Sequence, residues 1–338
     1  MSVIHFLNVL EGDCNIIQHD SGRISVIDVC NAYNDDDTPA EKAVQAYKKK
    51  ILFDTKVPVG KIDFKQKADP DNPIKYIKNR LQRNDIFRFI ITHPDMDHLD
   101  GIKDFYNEFT VTNTWDSDNT KELPAGSGDG RYNRDDWDFY RQIREGKYSK
   151  TYRLTYSAGA DAQYFNEDMI KVLCPTTALI RQANEIAGDF HDLSYVLLYT
   201  PPTQEGGHWK ILFAGDSHDS SWEYILRNHR SQVENVDILF APHHGRDSGR
   251  DYKFLDILKP KLTLFGNASS EHLAYSQYRK TRITNNQAGH IILDINPKRS
   301  KVYVKNQEFA SSFLRKRSWP LTALDPGFQA YPIIQYNA

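Results

Sequence analysis

Two histidines and two aspartates fall within six residues of this 338-residue chain, in His93-Pro94-Asp95-Met96-Asp97-His98. The stretch follows the apolar run from Ile86 to Ile91 and leads into Leu99-Asp100-Gly101, so it reads as a metal-binding loop at the end of a buried strand. On extended backbone leaving a strand, His93 and Asp95 are two apart and point to the same side, where both can reach one ion. Asp97 and His98 lie one step further round the turn, where a second ion fits. Imidazole with carboxylate suits zinc, manganese or iron, and a carboxylate-rich set leans toward the harder ions. Taken alone, the loop reads equally well as a polar turn in which Asp97 caps a helix from Leu99 to about Phe109.

Two distant segments decide between these readings. The run from Trp209 to Ala214 is a short apolar strand ending in Gly215-Asp216, which places a carboxylate at a strand's carboxyl end. Val236 to Ala241 is another, ending in Pro242-His243-His244-Gly245, with a glycine that allows a tight turn. Three separate strands therefore end in ligand chemistry. Neighbours on extended chain point oppositely, so only one of His243 and His244 is expected to face the metals, with His243 favoured. The other is left to hydrogen-bond substrate or to give a proton to a leaving group.

In order and in kind, the His-x-Asp-x-Asp-His loop, the Gly-Asp strand end and Pro-His-His-Gly resemble the metallo-β-lactamase-fold hydrolases. Within them the likeness is to the branch typified by the soluble domain of ComEC-type competence proteins. It runs from about residue 3 to 275 and includes the strand His5 to Leu10 with Gly12-Asp13, the strand around Val26-Ile27-Asp28-Val29, Met169 to Pro175 and Leu193 to Tyr199. The resemblance implies an α/β fold, the αββα sandwich of two mixed sheets flanked by helices. It implies two divalent metal ions, zinc or manganese, held by His93, Asp95, Asp97, His98, His191, Asp216 and His243. His191 would complete the first site, with Asp192 as its fallback, and Asp216 would bridge both ions. Asp13 and Asp28 would support the loop from behind, and His272 falls where the family often has a further histidine beside the pocket.

The same resemblance implies a phosphodiesterase or nuclease that uses a water activated by both metals, with Asp97, Asp216 and His244 in catalytic roles and DNA or a nucleotide as substrate. An ordinary β-lactam hydrolase is rejected, because Asp95 stands where those enzymes carry a second histidine. One alternative is a small-molecule phosphodiesterase like the phosphorylcholine esterases, which would need an aromatic cage from Trp115, Trp137 or Tyr140. A second, of a different class, is a metal-stabilised binding subunit that engages a protein partner and has no turnover of its own.

The rest of the chain must position these residues. Residues 1–310 read as a single domain and 311–338 as a C-terminal tail that covers the body or binds a partner. An insertion at about 112–163 has few aliphatic residues, and a helix over 132–145 is expected in it. If the insertion overhangs the metals, Arg131 or Arg134 would meet phosphate and Trp137 the substrate. Helices are also expected over 39–50, from about Asp69 to Gln82 and over 176–187, and a closing hairpin around Asn296 to Ser300. His218 is explained as a helix start.

Forty-three basic against 45 acidic side chains give a net charge of −2, so no whole-molecule field draws the protein onto nucleic acid. Three cysteines without a close pair suggest neither disulfides nor a cysteine zinc site. The chain has no apolar stretch long enough to span a membrane and no leader at its start, which points to a cytoplasmic protein.

Overall fold

Strands that are apolar on both faces need cover on both faces, and the run Ile238-Leu239-Phe240-Ala241 shows how it is provided. Ile238 and Phe240 enter one core, while Leu239 and Ala241 enter another on the opposite side. Ile211 and Phe213 alternate with Leu212 and Ala214 in the same way. In the other sheet Ile90 faces the shared core, and Phe89 and Ile91 face away from it.

The computed structural model describes residues 1–9, 11–34, 62–123, 132–186, 190–268, 273–279 and 281–338. The chain first lays down β1 (Ser2–Phe6), β2 (Asn15–Gln18), β3 (Ile24–Ile27), β4 (Asp85–Ile90), β5 (Thr110–Trp115) and β6 (Tyr152–Leu154). It crosses to build β7 (Ile170–Cys174), β8 (Val196–Tyr199), β9 (Ile211–Phe213), β10 (Ile238–Phe240), β11 (Leu262–Phe265) and β12 (Arg282–Thr284). It then returns with β13 (Ile291–Ile295), β14 (Arg299–Val304) and β15 (Tyr331–Asn337). Among the described residues this gives one sheet in the order β15-β14-β13-β1-β2-β3-β4-β5-β6 and another in the order β12-β11-β10-β9-β8-β7. Both are mixed: β3 to β6 and β9 to β12 run parallel, and antiparallel strands complete each sheet.

The shared core lies between the sheets. Phe105, Trp137 and Tyr140, from the helices Ile102–Glu108 and Arg134–Arg144, cover the outer face of the first. Trp222 and Phe254, from Asp219–Asn228 and Phe254–Leu258, cover the outer face of the second. The fold is therefore the expected αββα sandwich. Its geometry brings the carboxyl ends of β4, β9 and β10 to one edge.

Several expectations change. The supposed insertion contributes two strands, because β5 and β6 extend the parallel part of the first sheet. The Thr-Val-Thr-Asn-Thr-Trp sequence of β5 has too few aliphatics to announce a strand. The expected helix over 132–145 is Arg134–Arg144, with the Asn133 side chain accepting from the Asp135 amide as its cap. Its buried Asp136 accepts from Gly101 and Lys103 amides at 3.0 Å and so caps the helix Ile102–Glu108, a task the bland reading of the loop gave to Asp97.

The boundary at residue 310 falls inside the helix Gln307–Arg315, and the tail beyond it supplies β15, paired antiparallel to β14. Residues 311–338 are thus part of the sandwich. The expected helix over 39–50 lies outside the described residues. All three cysteines are free and buried. No helix among the described residues is long and apolar enough to cross a membrane.

Candidate metal centre

The loop after β4 is held from behind before any of its ligand-type side chains is placed. Asp28, just beyond β3, accepts from the Thr92 amide and the Thr92 hydroxyl, both at 2.7 Å. Asp95 is extended, and Met96–His98 makes one 3-10 turn, so His93 and Asp95 share a side while Asp97 and His98 turn onto the next. Gly12 supports the turn from below: its φ is 74°, and a Cβ there would sit inside the Asp97 carbonyl.

Asp216, at the end of β9, is where the groups meet. Its Oδ2 lies 3.7 Å from His93 Nε2 and 3.6 Å from both His243 Nε2 and His244 Nε2, and its Oδ1 lies 3.4 Å from His98 Nε2. His191, on a 3-10 turn before β8, brings Nε2 to 3.6 Å from Asp95 Oδ2, whose distance to His93 Nε2 is 3.8 Å. Asp97 Oδ2 is 3.4 Å from His244 Nε2 and 3.9 Å from His98 Nε2. The ligand-type atoms thus fall into overlapping groups: His93, Asp95 and His191; His93, His98 and Asp216; Asp97, His98 and His244; His191, Asp216 and His243.

These separations are long for hydrogen bonds. Atoms standing about 2.0 to 2.2 Å from a common tetrahedral ion would be roughly 3.3 to 3.6 Å apart, and the separations here, 3.4 to 3.9 Å, overlap that range and run slightly beyond it. Moreover, His93 Nε2, His98 Nε2, His244 Nε2 and Asp216 Oδ1 are buried and have no hydrogen-bond partner. Four such atoms facing one another would be costly in a folded protein unless something between them were bound. The residues present fit a pair of divalent ions.

Charge leads to the same view. Burial lowers the His93 imidazole to about 3. Burial works the same way on His98 and His244, yet Asp216, Asp28 and Asp97 push the first well above its usual range, and Asp216 and Asp13 push the second up to about 10. Burial would raise Asp216, but the surrounding histidines hold its carboxyl well below the usual range. The carboxylates demand positive charge in their midst, and metal ions would supply it without protonating the ligands.

The ring atoms turned away from the cluster are also held. His98 Nδ1 is 2.8 Å from Asp28 Oδ2, and His244 Nδ1 is 3.2 Å from Asp13 Oδ1. The first is a hydrogen bond, and a carboxylate on Nδ1–H fixes the tautomer that turns an unprotonated Nε2 toward the cluster; the second is an ion-pair contact without hydrogen-bond geometry.

The alternation argument for His243 and His244 fails because neither residue is extended. Their φ values are 53° and 56°, in the left-handed region, and both rings turn toward Asp216. Gly245, at φ 83°, packs so closely on the Phe265 ring that a Cβ would overlap it, which fixes this turn. His244 is buried beside Asp97 and Asp13, whereas His243 stands nearer the rim with 17% of its side chain exposed. Asp192, the fallback for His191, instead accepts from the Ser221 amide and hydroxyl at 3.2 Å and so anchors the following helix.

The substrate-side candidates fare differently. His272 and Arg131 lie outside the described residues. Trp137 is fully buried under the first sheet, as are Trp115 and Tyr140 in their cores, so none of the three can form an aromatic cage around a ligand. Arg134 is exposed and pairs with Asp138 one helical turn on. Two residues near the centre gave little sign of themselves in the sequence. His218 does precede a helix as its N-cap, but its ring also stacks on His191 at 5.8 Å. Lys121 donates to Asp95 Oδ1 from the segment after β5, where no motif marks it.

No protein-family profile matches this chain, and no curated protein matches it either. Solved structures similar to it include a diphosphatase of the PhnP family, at 12% identity over 88% of this chain and 98% of that one, with a TM-score of 0.40. The diiron β-hydroxylase CmlA from Streptomyces venezuelae is similar at 13% identity over 78% and 44%, TM-score 0.39. The metallo-β-lactamase SMB-1 bound to 2-mercaptoethanesulfonate is similar at 13% over 72% and 78%, TM-score 0.33. At these scores none of the three says what this chain does, and its chemistry has to come from the atoms of the site.

Proposed function

We propose that this chain is a metal-dependent hydrolase of the metallo-β-lactamase fold, using two divalent ions, zinc or manganese, on a phosphodiester substrate. The observation that supports it is the convergence of buried, partnerless nitrogens and oxygens around Asp216. His93, Asp95 and His191 would hold one ion and Asp97, His98 and His244 the other, with Asp216 shared. Ions bound there would polarise a phosphoryl oxygen and lower the pKa of a water toward neutrality.

The chain's own residues have separate tasks. Asp28 would hold the ring proton of His98 on Nδ1 and so leave Nε2 free for an ion, and Asp13 stands behind His244 as an ion-pair partner. His243, at the rim, joins the ligand-type group of His191 and Asp216, and would hold an ion there or carry a proton to the leaving oxygen. His244 thus joins the ligand-type residues, beside the His243 expected from the sequence. Asp95, Asp97 and Asp216 make the set rich in carboxylate, which suits ions that also hold phosphoryl oxygens. The choline-ester reading loses its cage with the burial of Trp115, Trp137 and Tyr140. A metal-stabilised binding subunit would use the same partnerless atoms, and turnover alone separates it from a hydrolase.

The test is metal content of the purified protein beside Asp97→Ala, with single-stranded and duplex DNA, RNA, dinucleotides and a phosphorylcholine ester assayed under added Mn²⁺ or Zn²⁺. Two ions per chain, and one phosphodiester class cleaved by wild type and not by the variant, is the expected result. Protein that retains no metal and gains no activity from either ion would overturn the proposal.

A further inference from the structure

Lys121 touches the cluster from outside, and the proposed reaction gives it no task. Its Nζ donates to Asp95 Oδ1 and stands 5.7 Å from the centre of the Phe190 ring. The other oxygen of the same carboxylate, Oδ2, faces His191 at 3.6 Å and His93 at 3.8 Å. Asp95 is therefore divided, with its outer oxygen given to a cation and its inner one to the imidazoles.

The other group is built differently. Asp97 Oδ2 faces His244 and His98, and the two rings are backed by Asp13 and Asp28. Among the described residues, the ion pairs of Asp97 are both with these imidazoles and none is with a lysine or arginine. Around Asp97 negative charge accumulates, and around Asp95 it is cancelled.

We infer that Lys121 is a positioning residue that makes the two metal positions unequal, so that the ion beside His93, Asp95 and His191 is the more weakly held. The inference rests on the dinuclear reading above and deepens it. With its charge offset, Asp95 acts toward a divalent ion much as a neutral imidazole would, and Lys121 itself repels the ion. The pair is part-exposed, at 21% and 27% of the two side chains, so solvent screens this repulsion without abolishing it. At limiting metal the Asp97 position fills first. Hydrolysis then begins only when the weaker position is occupied, and Lys121 sets the metal concentration at which that happens.

Metal-free protein would be titrated with Mn²⁺, following free ion by electron paramagnetic resonance, in wild type, Lys121→Met, Lys121→Gln and Lys121→Arg. Wild type should show two steps, and His191→Gln, which strips one ligand from the Asp95 group, should remove the weaker one. In Lys121→Met and Lys121→Gln the weaker step should tighten by about tenfold or more, with the stronger step unchanged and so reporting an intact fold. Lys121→Arg should behave as wild type. A lysine that only holds the carboxylate in place predicts the reverse: weaker binding in Met, and near-normal binding in Gln, which still donates a hydrogen bond. An unchanged or weakened step in the Met variant overturns the inference. Wild type that binds no Mn²⁺ at either step would instead sink the dinuclear reading itself.

Discussion

Replacing Asp28 by asparagine should cost metal affinity at one position of the centre and leave the other alone. The backbone tolerates the change: Asp28 has φ 59°, a left-handed conformation in which asparagine is favoured and alanine is not. The side chain does not tolerate it. Both carboxylate oxygens accept, Oδ1 from the Thr92 amide and Oδ2 from the Thr92 hydroxyl and His98 Nδ1–H. An asparagine has one accepting oxygen, and the amide nitrogen that takes the other place donates.

With the oxygen kept on the Thr92 amide, the asparagine NH₂ faces His98 Nδ1 and makes it an acceptor. The ring proton then moves to Nε2, the atom that lies 3.4 Å from Asp216 Oδ1 and has no other partner. Losing such a partner typically weakens metal binding by about 10- to 100-fold, which is roughly 1.4 to 2.8 kcal/mol. Calorimetric titration of metal-free protein with Zn²⁺ should show the step assigned to Asp97, His98 and His244 weakened by that factor and the other step unmoved. An unchanged first step in a folded variant would refute the tautomer argument. Equal loss at both steps would show that Asp28 holds the whole loop and not one ring.

The remaining expectations concern the frame. Gly12→Ala puts a methyl group into the Asp97 carbonyl at a positive φ, so the loop has to move; a displacement of about 1 Å can cost on the order of 100-fold in rate, and kcat should fall by far more than Tm. An unaffected kcat would mean that Asp97 is not held from below. His5, buried against Tyr76 and Gln18, is lowered by burial from 6.5 to about 4. The unfolded chain therefore takes up this proton first. The associated stability, about 3 kcal/mol, is full above pH 6.5, is lost as pH falls, and is gone once pH has passed about 4. His5→Gln should make the decline of unfolding free energy over that window shallower by one proton, and an unchanged slope would refute the assignment.

What the sequence made legible is what is local to a strand end. Apolar runs buried on both faces mark β4, β9 and β10, and polar residues at fixed offsets beyond them mark the cluster, because both patterns are written within a few residues. The strand β5 was not legible, since threonine and asparagine fill positions that a strand inside the sheet would usually give to aliphatics. Nor was β15, which reads as a tail until β14 pairs with it. The orientation of His243 and His244 depends on how Gly245 meets Phe265 across the sheet, a contact that spacing along the chain does not contain. The buried Arg88–Asp168 pair, 2.8 Å between atoms 80 residues apart in sequence, belongs to the same kind.

The division has a chemical consequence. Most ligand-type residues sit in short motifs, whereas the residues that tune them arrive from elsewhere: Asp28 stands 70 residues from His98, and Lys121 stands 26 from Asp95. Two chains could carry the same His-x-Asp-x-Asp-His loop and hold different ions in different order, because tautomer and charge are set by partners outside the loop. The motif therefore supports the presence of a metal centre in this chain. On the proposed reading, which position fills first would depend on partners such as Asp28 and Lys121, and variants at those positions should shift one ion's affinity while leaving the ligands in the loop in place.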